Sequence, residues 1–340
     1  MDKPAEPTTA LKATCLCRTS TLTFTVPTSS LPLPTHFCHC SICRHTHGTL
    51  CTIHAPAPRP EGDFSTLTSY KSSPKVTRYF CSTCGGHLGD YAEGKEGKEH
   101  WCVPASMVDA PEETWAFRNH IFVGSTGDGG LADWVRDVGG TKMKCWNERE
   151  GEGEGDWVPP EPLSAEKRAG EGERKDEKLH AHCHCGGVSF YISRPQSPSA
   201  FDGIDPSLVP EDKSKWFALH DVCGSCRLAT GCAIASWMFP LPSHITLADG
   251  SPYTTEFGTA RVYKSSEGVT RTFCGTCGAT VTYVCGDRPG MVDVAVGLLD
   301  TEYVKAEEWL EWRKRKVAWE KDAAWKGVLK GLQNGLIGNE

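Results

Sequence analysis

Eighteen cysteines in 340 residues are the part of this sequence best equipped for chemistry. Cys15-Leu16-Cys17 is a C-x-C pair, and Cys81-Ser82-Thr83-Cys84-Gly85 is a C-x-x-C-G turn. On an extended segment a C-x-C pair puts both sulfurs on one face. The glycine of the turn can take the left-handed conformation that a tight knuckle needs. Together the four thiolates are the donor set of a closed, tetrahedral structural zinc site, which holds a fold together and does no chemistry. The same set returns as Cys183, Cys185, Cys274 and Cys277.

Cys38, Cys40 and Cys43 form a different group. Three thiolates this close can wrap one ion and leave a tetrahedral position for a substrate thiol or water. The alternative is a further structural site closed by a fourth residue that the sequence does not identify. Arg44 follows at once and can draw anionic groups. His39, His45 and His47 read as surface or supporting residues rather than a fourth ligand. The later counterpart runs Asp221, Cys223, Cys226. A carboxylate is harder than a thiolate and weakens a soft site, although His220 and Cys232 are near enough in sequence to substitute. The first trio is therefore the competent one.

The other cysteines, Cys51, Cys102, Cys145, Cys232 and Cys285, lack ligand spacing and read as buried small apolar residues. His180, His182 and His184 interleave with Cys183 and Cys185, so their rings are expected to face solvent, away from those sulfurs.

These residues need a scaffold, and the chain supplies one twice. Tyr70-Lys71-Ser72-Ser73, Val76-Thr77-Arg78 and Phe80-Cys81 recur as Tyr263-Lys264-Ser265-Ser266, Val269-Thr270-Arg271 and Phe273-Cys274. A repeat this long marks a duplicated domain rather than a solenoid. Leu22, Phe24 and Val26 alternate with threonines, and Val188, Phe190 and Ile192 alternate with Ser189 and Tyr191, which predicts half-buried strands. The fold expected is mainly β, with a first domain over 11–146, a linker over 147–178 and a second domain over 179–302. The linker is rich in Gly, Glu, Lys and Pro and is expected to be flexible. The segment from Phe201 to Lys215 reads as a polar surface insertion. A Trp-rich tail over 303–340 is expected to be helical, with Trp309, Trp312, Trp319 and Ala323 packing on the second domain.

A hydrophobic share of 39% with 23% charged residues fits a globular chain and argues against wholesale disorder. No apolar run is long enough to span a membrane. The net charge of −7 argues against coating nucleic acid, and the basic run Arg313–Lys316 reads as a solvated helix face. Met1 to Leu16 has no apolar stretch resembling a secretory signal. The thiols are then expected to be reduced, in the cytoplasm or alternatively the nucleus.

Taken together, the motifs resemble the glutathione-dependent formaldehyde-activating enzyme family, which also includes centromere protein V. The residues that carry the likeness are Cys15 to Cys17, Cys38 through Arg44 with Gly48, Tyr70 to Ser73, and Arg78 to Gly85. In the second copy they are Cys183 to Gly186, Cys223 through Arg227 with Gly231, and Tyr263 through Gly278. His120-Ile121-Phe122-Val123 and Gly297-Leu298-Leu299-Asp300 resemble later family segments. Arg18 departs from the pattern where a glycine is usual, and Asp221 where a thiolate is usual.

The resemblance implies two tandem zinc-binding β-tent domains of small antiparallel sheets, similar to methionine sulfoxide reductase B, with structural zinc on each Cys₄ set. It also implies a reactive zinc at Cys38, Cys40 and Cys43 and a carbon–sulfur lyase activity joining formaldehyde to glutathione. Arg44, Lys71 and Arg78 are then candidates to hold the carboxylates of glutathione, with Arg227, Lys264 and Arg271 as counterparts that serve equally well as strand residues. The other reading is a non-enzymatic zinc module that binds protein or chromatin; a third is metal buffering.

Overall fold

The alternation of Leu22, Phe24 and Val26 with threonines builds strand Thr21–Pro27, whose apolar side chains are fully buried. It pairs antiparallel with Thr8–Thr14, Leu11 lying opposite Phe24, and Glu61–Gly62 completes a three-stranded sheet. The second half repeats this with Lys178–His182, Ser189–Ser193 and Ile245–Leu247. The computed structural model describes residues 6–94, 98–151, 157–158 and 177–338.

Each half also carries a larger sheet. The first runs Lys144–Cys145, Trp115–Ile121, Leu33–Cys38, Thr52–Ala57, Glu99–Pro104, His87–Glu93, Val76–Cys81, Leu67–Ser73. The second runs Leu310–Trp312, Trp216–Asp221, Ala235–Met238, Asp293–Ala295, Thr280–Cys285, Val269–Cys274, Ala260–Ser266. Apart from Lys144–Cys145 the order is the same. Each sheet contains the same parallel pair, Trp115–Ile121 with Leu33–Cys38 and Leu310–Trp312 with Trp216–Asp221. The chain is mainly β, as expected, with several small sheets and a C-terminal helix.

The tail corrects the expectation in two ways. Residues from 303 are not one helix: Leu310–Trp312 is the last strand of the second sheet, and only Lys326–Gly338 is α-helical. Trp309 and Trp312 are buried there, while Trp319 is 66% exposed, so the tryptophans do not share a helix face. The basic run Arg313–Lys316 is likewise non-helical, with Arg313 donating to Ser207 O and lying over Phe217. The terminal helix packs on the first half rather than the second. Trp325 meets Trp115 and Phe117, and Glu112 accepts from Gly327 N and Val328 N at the helix start. A carboxylate there satisfies two free amides at the end where the helix dipole favours negative charge.

Three smaller differences follow. Within the insertion, Phe201 and Leu208 are buried, and Phe201 packs on Trp216. Most of the expected linker lies outside the described residues, but Trp157 donates from its backbone to Cys145 O. Of the five cysteines without ligand spacing, Cys51 and Cys232 are buried as expected, whereas Cys102, Cys145 and Cys285 are half-buried.

The halves pack reciprocally. Gly85, after the first C-x-x-C, lies against the ring of Phe273, and Gly278, after the second, lies against Phe80. A Cβ on either would come within 2.6 or 2.7 Å of that ring, and both have positive φ, 79° and 80°. Glycine is therefore required twice over, for the knuckle and for the approach of the other half. Tyr70 Oη and His184 Nδ1 hydrogen-bond across the same boundary at 2.7 Å, and His184 N donates to His45 O.

Candidate metal centres

The first Cys₄ group forms where strand Thr8–Thr14 ends. Cys15 and Cys17 are 3.4 Å apart at sulfur, and Cys17 is 3.5 Å from Cys81. Cys84 completes the set, with all four sulfurs within 4.8 Å of one another. Tetrahedral thiolate ligation at about 2.3 Å needs sulfur separations of about 3.8 Å, so the cluster fits such an ion. The turn after Cys17 puts Arg18 at φ 63°, where the second half has Gly186 at 73°. The arginine thus keeps the left-handed turn at a steric cost that glycine avoids. Ser20 N donates to Cys15 Sγ and Thr83 N to Cys81 Sγ, which disperses thiolate charge.

The second group, Cys183, Cys185, Cys274 and Cys277, reproduces it, with sulfur separations of 3.4 and 3.5 Å and amide donors from Val188, Gly187 and Thr276. The sequence pairing of distant C-x-C and C-x-x-C motifs is brought together in both halves.

Cys38 ends strand Leu33–Cys38, Cys40 caps helix Ser41–His47, and Cys43 lies in its first turn. The cap is real: Cys40 Sγ accepts from Cys43 N at 3.4 Å. The three sulfurs converge within 4.8 Å, and no fourth Cys, His or carboxylate joins them among the described residues. Cys38 and Cys43 are buried and Cys40 is half-buried, so the trio opens past Cys40.

Arg78 is the principal neighbour of the trio. Its Nη2 donates to Cys43 Sγ at 3.3 Å, its Nη1 to Asp90 Oδ2 at 2.9 Å, and its Nε to Ser72 Oγ at 3.1 Å. Contacts with Cys38 and Cys40, then the Arg78 charge, hold the Cys43 thiol well below its ordinary pKa, while Cys38, sharing hydrogen bonds with Cys40 and Cys43 in a buried setting, is pushed up.

The counterpart in the second half brings Asp221, Cys223 and Cys226 together. Asp221 Oδ1 is already engaged, accepting from Cys223 N at 2.7 Å, and burial raises its pKa. Arg271 stands farther off, 3.9 Å from Cys226 Sγ, and stacks on Tyr283 where Arg78 has Asp90 across the strand pair. His220 does not substitute: it lies between Trp134 and Trp312 and bonds to Ser236. Cys232 is buried and does not join the group either.

The predicted anion-holding residues are not brought together. Lys71 and its counterpart Lys264 are exposed on the strand face opposite Arg78 and Arg271. Arg44 is 5% exposed and its Nε donates to His39 O, and Arg227 donates to Ser106 O of the other half. Arg78 is buried with donors on all three nitrogens engaged. His39, His45 and His47 are buried rather than on the surface; they bond to His120, to His182 O and to Thr230 O. The sequence reading missed Asp90, Ser72 and His54, whose Nε2 lies 3.4 Å from Asp90 Oδ2. One signal was available: an aspartate inside the strand pattern of His87–Glu93 is disfavoured and asks for a partner.

Fold and sites together define a small-sheet β protein whose paired halves carry cysteine clusters able to hold metal. The chain belongs to the family described as glutathione-dependent formaldehyde-activating enzyme, whose model matches residues 10–125 and 211–315. The second match begins after Cys183 and Cys185, which the structure nonetheless unites with Cys274 and Cys277. A Rhodobacter sphaeroides protein of known crystal structure, a structural-genomics target, is similar at 18% identity over 39% of this chain and 99% of its own, with a TM-score of 0.26. No curated protein matches the chain. Among the described residues, no helix is long and apolar enough to cross a membrane.

Proposed function

We propose that this chain is a zinc-dependent carbon–sulfur lyase acting on thiol–aldehyde adducts of the glutathione plus formaldehyde type, with its reactive centre at Cys38, Cys40 and Cys43. The observation that carries the reading is the trio itself: three converging sulfurs, one short of a closed set, with an arginine hydrogen-bonded to one of them. The two Cys₄ groups are assigned to structural zinc and the Asp221–Cys223–Cys226 group to a weakened copy. The two halves are taken as domains of 11–146 and 179–302, the second extended by the strand Leu310–Trp312.

Zinc at the trio would supply the Lewis acidity that keeps a substrate thiol ionised near neutral pH. Arg78 disperses charge on Cys43 and is itself fixed by Asp90 and Ser72, so it positions the trio rather than gripping glutathione. Burial of Cys38 and Cys43 excludes water from two sides. In the forward direction the thiol sulfur bonds to the aldehyde carbon and the thiol proton ends on the aldehyde oxygen; the reverse breaks the same bond.

The test is the exchange rate of formaldehyde with glutathione, followed by NMR on zinc-loaded protein. Acceleration in the wild type, lost in Cys40→Ser together with one zinc ion and with the fold intact, is expected. A wild-type rate equal to the uncatalysed one overturns the assignment.

A further inference from the structure

We propose that His180, His182 and Asp300 form a mononuclear divalent-metal site, separate from every cysteine cluster. The backbone sets all three donors. His180 and His182 are two residues apart on strand Lys178–His182 and therefore share a face. Leu299 bridges antiparallel to Ala181, and Asp300 N donates to His180 O at 2.9 Å, which pins the carboxylate beside both rings. Asp300 Oδ2 lies 3.5 Å from His180 Nδ1 and 3.8 Å from His182 Nε2. Neighbouring donors around an ion held at about 2.1 Å are about 3.0–3.5 Å apart, so a slight contraction suffices.

The opposite ring nitrogens carry the stronger argument. His182 Nδ1 bonds to Cys183 O at 3.0 Å, and since a carbonyl only accepts, Nδ1 carries the proton. That contact turns the opposite nitrogen, Nε2, toward Asp300 Oδ2, the same oxygen that His180 Nδ1 faces. His180 Nε2 bonds to Ser189 Oγ at 2.9 Å, leaving Nδ1 for the same point. Anchoring the distal nitrogen in this way is how metal-binding histidines are oriented. The ring planes are fixed as well, His180 stacked on Tyr191 and His182 on His45.

The shared fold does not require the two histidines, although the aspartate recurs in both halves. The bridge Ala13–Val108 is the counterpart in the first half, which places Lys12 and Thr14 where the second half has His180 and His182, with Asp109 in the place of Asp300. Two imidazoles and one carboxylate select a first-row divalent ion such as iron, cobalt, nickel or zinc over magnesium or calcium. The side chains are 32%, 29% and 61% exposed, so the remaining coordination positions face solvent, open to water or a small chelating anion.

The experiment is a cobalt(II) titration of the full-length protein with its thiolate clusters first filled with zinc. One equivalent should bind with weak visible d–d bands and without the intense near-ultraviolet sulfur-to-cobalt band. His182→Ala and Asp300→Asn should weaken binding more than tenfold with unchanged melting temperature, and Ser189→Ala by about tenfold. Wild type and Asp300→Asn binding cobalt alike overturns the site. So does a His182 ring that is doubly protonated, with nitrogen resonances unmoved by metal, because a simple imidazolium–carboxylate pair then supplies the cation. Neither result depends on the lyase activity.

Discussion

Replacing Arg78 with methionine should destabilise the first half far more than replacing both Arg78 and Asp90. Arg78 and Asp90 are 4% and 8% exposed and 2.9 Å apart. Asp90 Oδ1 has no hydrogen-bond partner, and Oδ2 has His54 Nε2 at 3.4 Å beside Arg78. Removing the guanidinium strands a buried carboxylate, which costs about 3–5 kcal/mol. At about 2–4 °C per kcal/mol for a unit of this size, the melting temperature falls by about 6–20 °C. Replacing both charges, as Arg78→Met with Asp90→Leu, removes the stranded group and should bring stability back to within about 1–2 kcal/mol of wild type.

The assay is a double-mutant cycle on zinc-replete protein, using denaturant midpoints and melting temperatures. The cycle should show a coupling of several kcal/mol between the two sites. The second half supplies an internal control. Arg271 bonds to Ser265 and lies over Tyr283, so Arg271→Met strands no carboxylate across the strand pair and should cost about 1–2 kcal/mol. Additive single substitutions at 78 and 90, or equal losses from Arg78→Met and Arg271→Met, would refute the reasoning.

Two further outcomes are expected. Trp325, 2% exposed and packed on Trp115 and Phe117, anchors the terminal helix, so Trp325→Ala should cost about 3–5 kcal/mol. Limited proteolysis should then cut near residue 320 sooner, and an unchanged digestion pattern would contradict the docking. Burial lowers His220 to about 3 and His120 to about 4 from an ordinary 6.5. Between those values and 6.5 the unfolded chain binds protons that the folded chain refuses, so stability is full above pH 6.5 and falls as pH drops. Each histidine contributes a loss of about 2 kcal/mol by pH 5. Melting curves from pH 7.5 to 5 should show this slope, reduced in His220→Gln; a flat profile would contradict it.

The cysteine clusters were legible in the sequence because thiolate groupings of this kind are written in short spacings that the backbone enforces locally. Cys38, Cys40 and Cys43 need only a strand end and one helical turn, and C-x-x-C-G needs only a knuckle. The repeat made the pairing of Cys15 with Cys81 readable across a long separation. What surrounds the sites was not legible, because it depends on which face meets which. Arg44 looked available and is buried against His39 O; Lys71 sits one residue from Ser72 and points the other way. The tail misled for the same reason. Leu310 to Trp312 suit either a strand or a helix, and pairing with Trp216–Asp221 decides for the strand, with Trp309 in the turn before it.

The reciprocal packing explains why a second half with an altered trio still belongs to the first half's site. Helix Ser41–His47 carries Cys43, and its end is set by the other half: Gly297 N donates to Gly48 O, His47 bonds to Thr230 O, and His45 bonds to His182 O. Tyr70, on the strand beside Arg78, is held by His184. An isolated first half would lose each of these contacts and expose Gly85, whose neighbour is Phe273. The orientation of the trio helix is therefore a property of both halves. Asp221 can weaken the second trio without releasing the second half from its task, because the residues that hold the first helix are not the ones that Asp221 replaces.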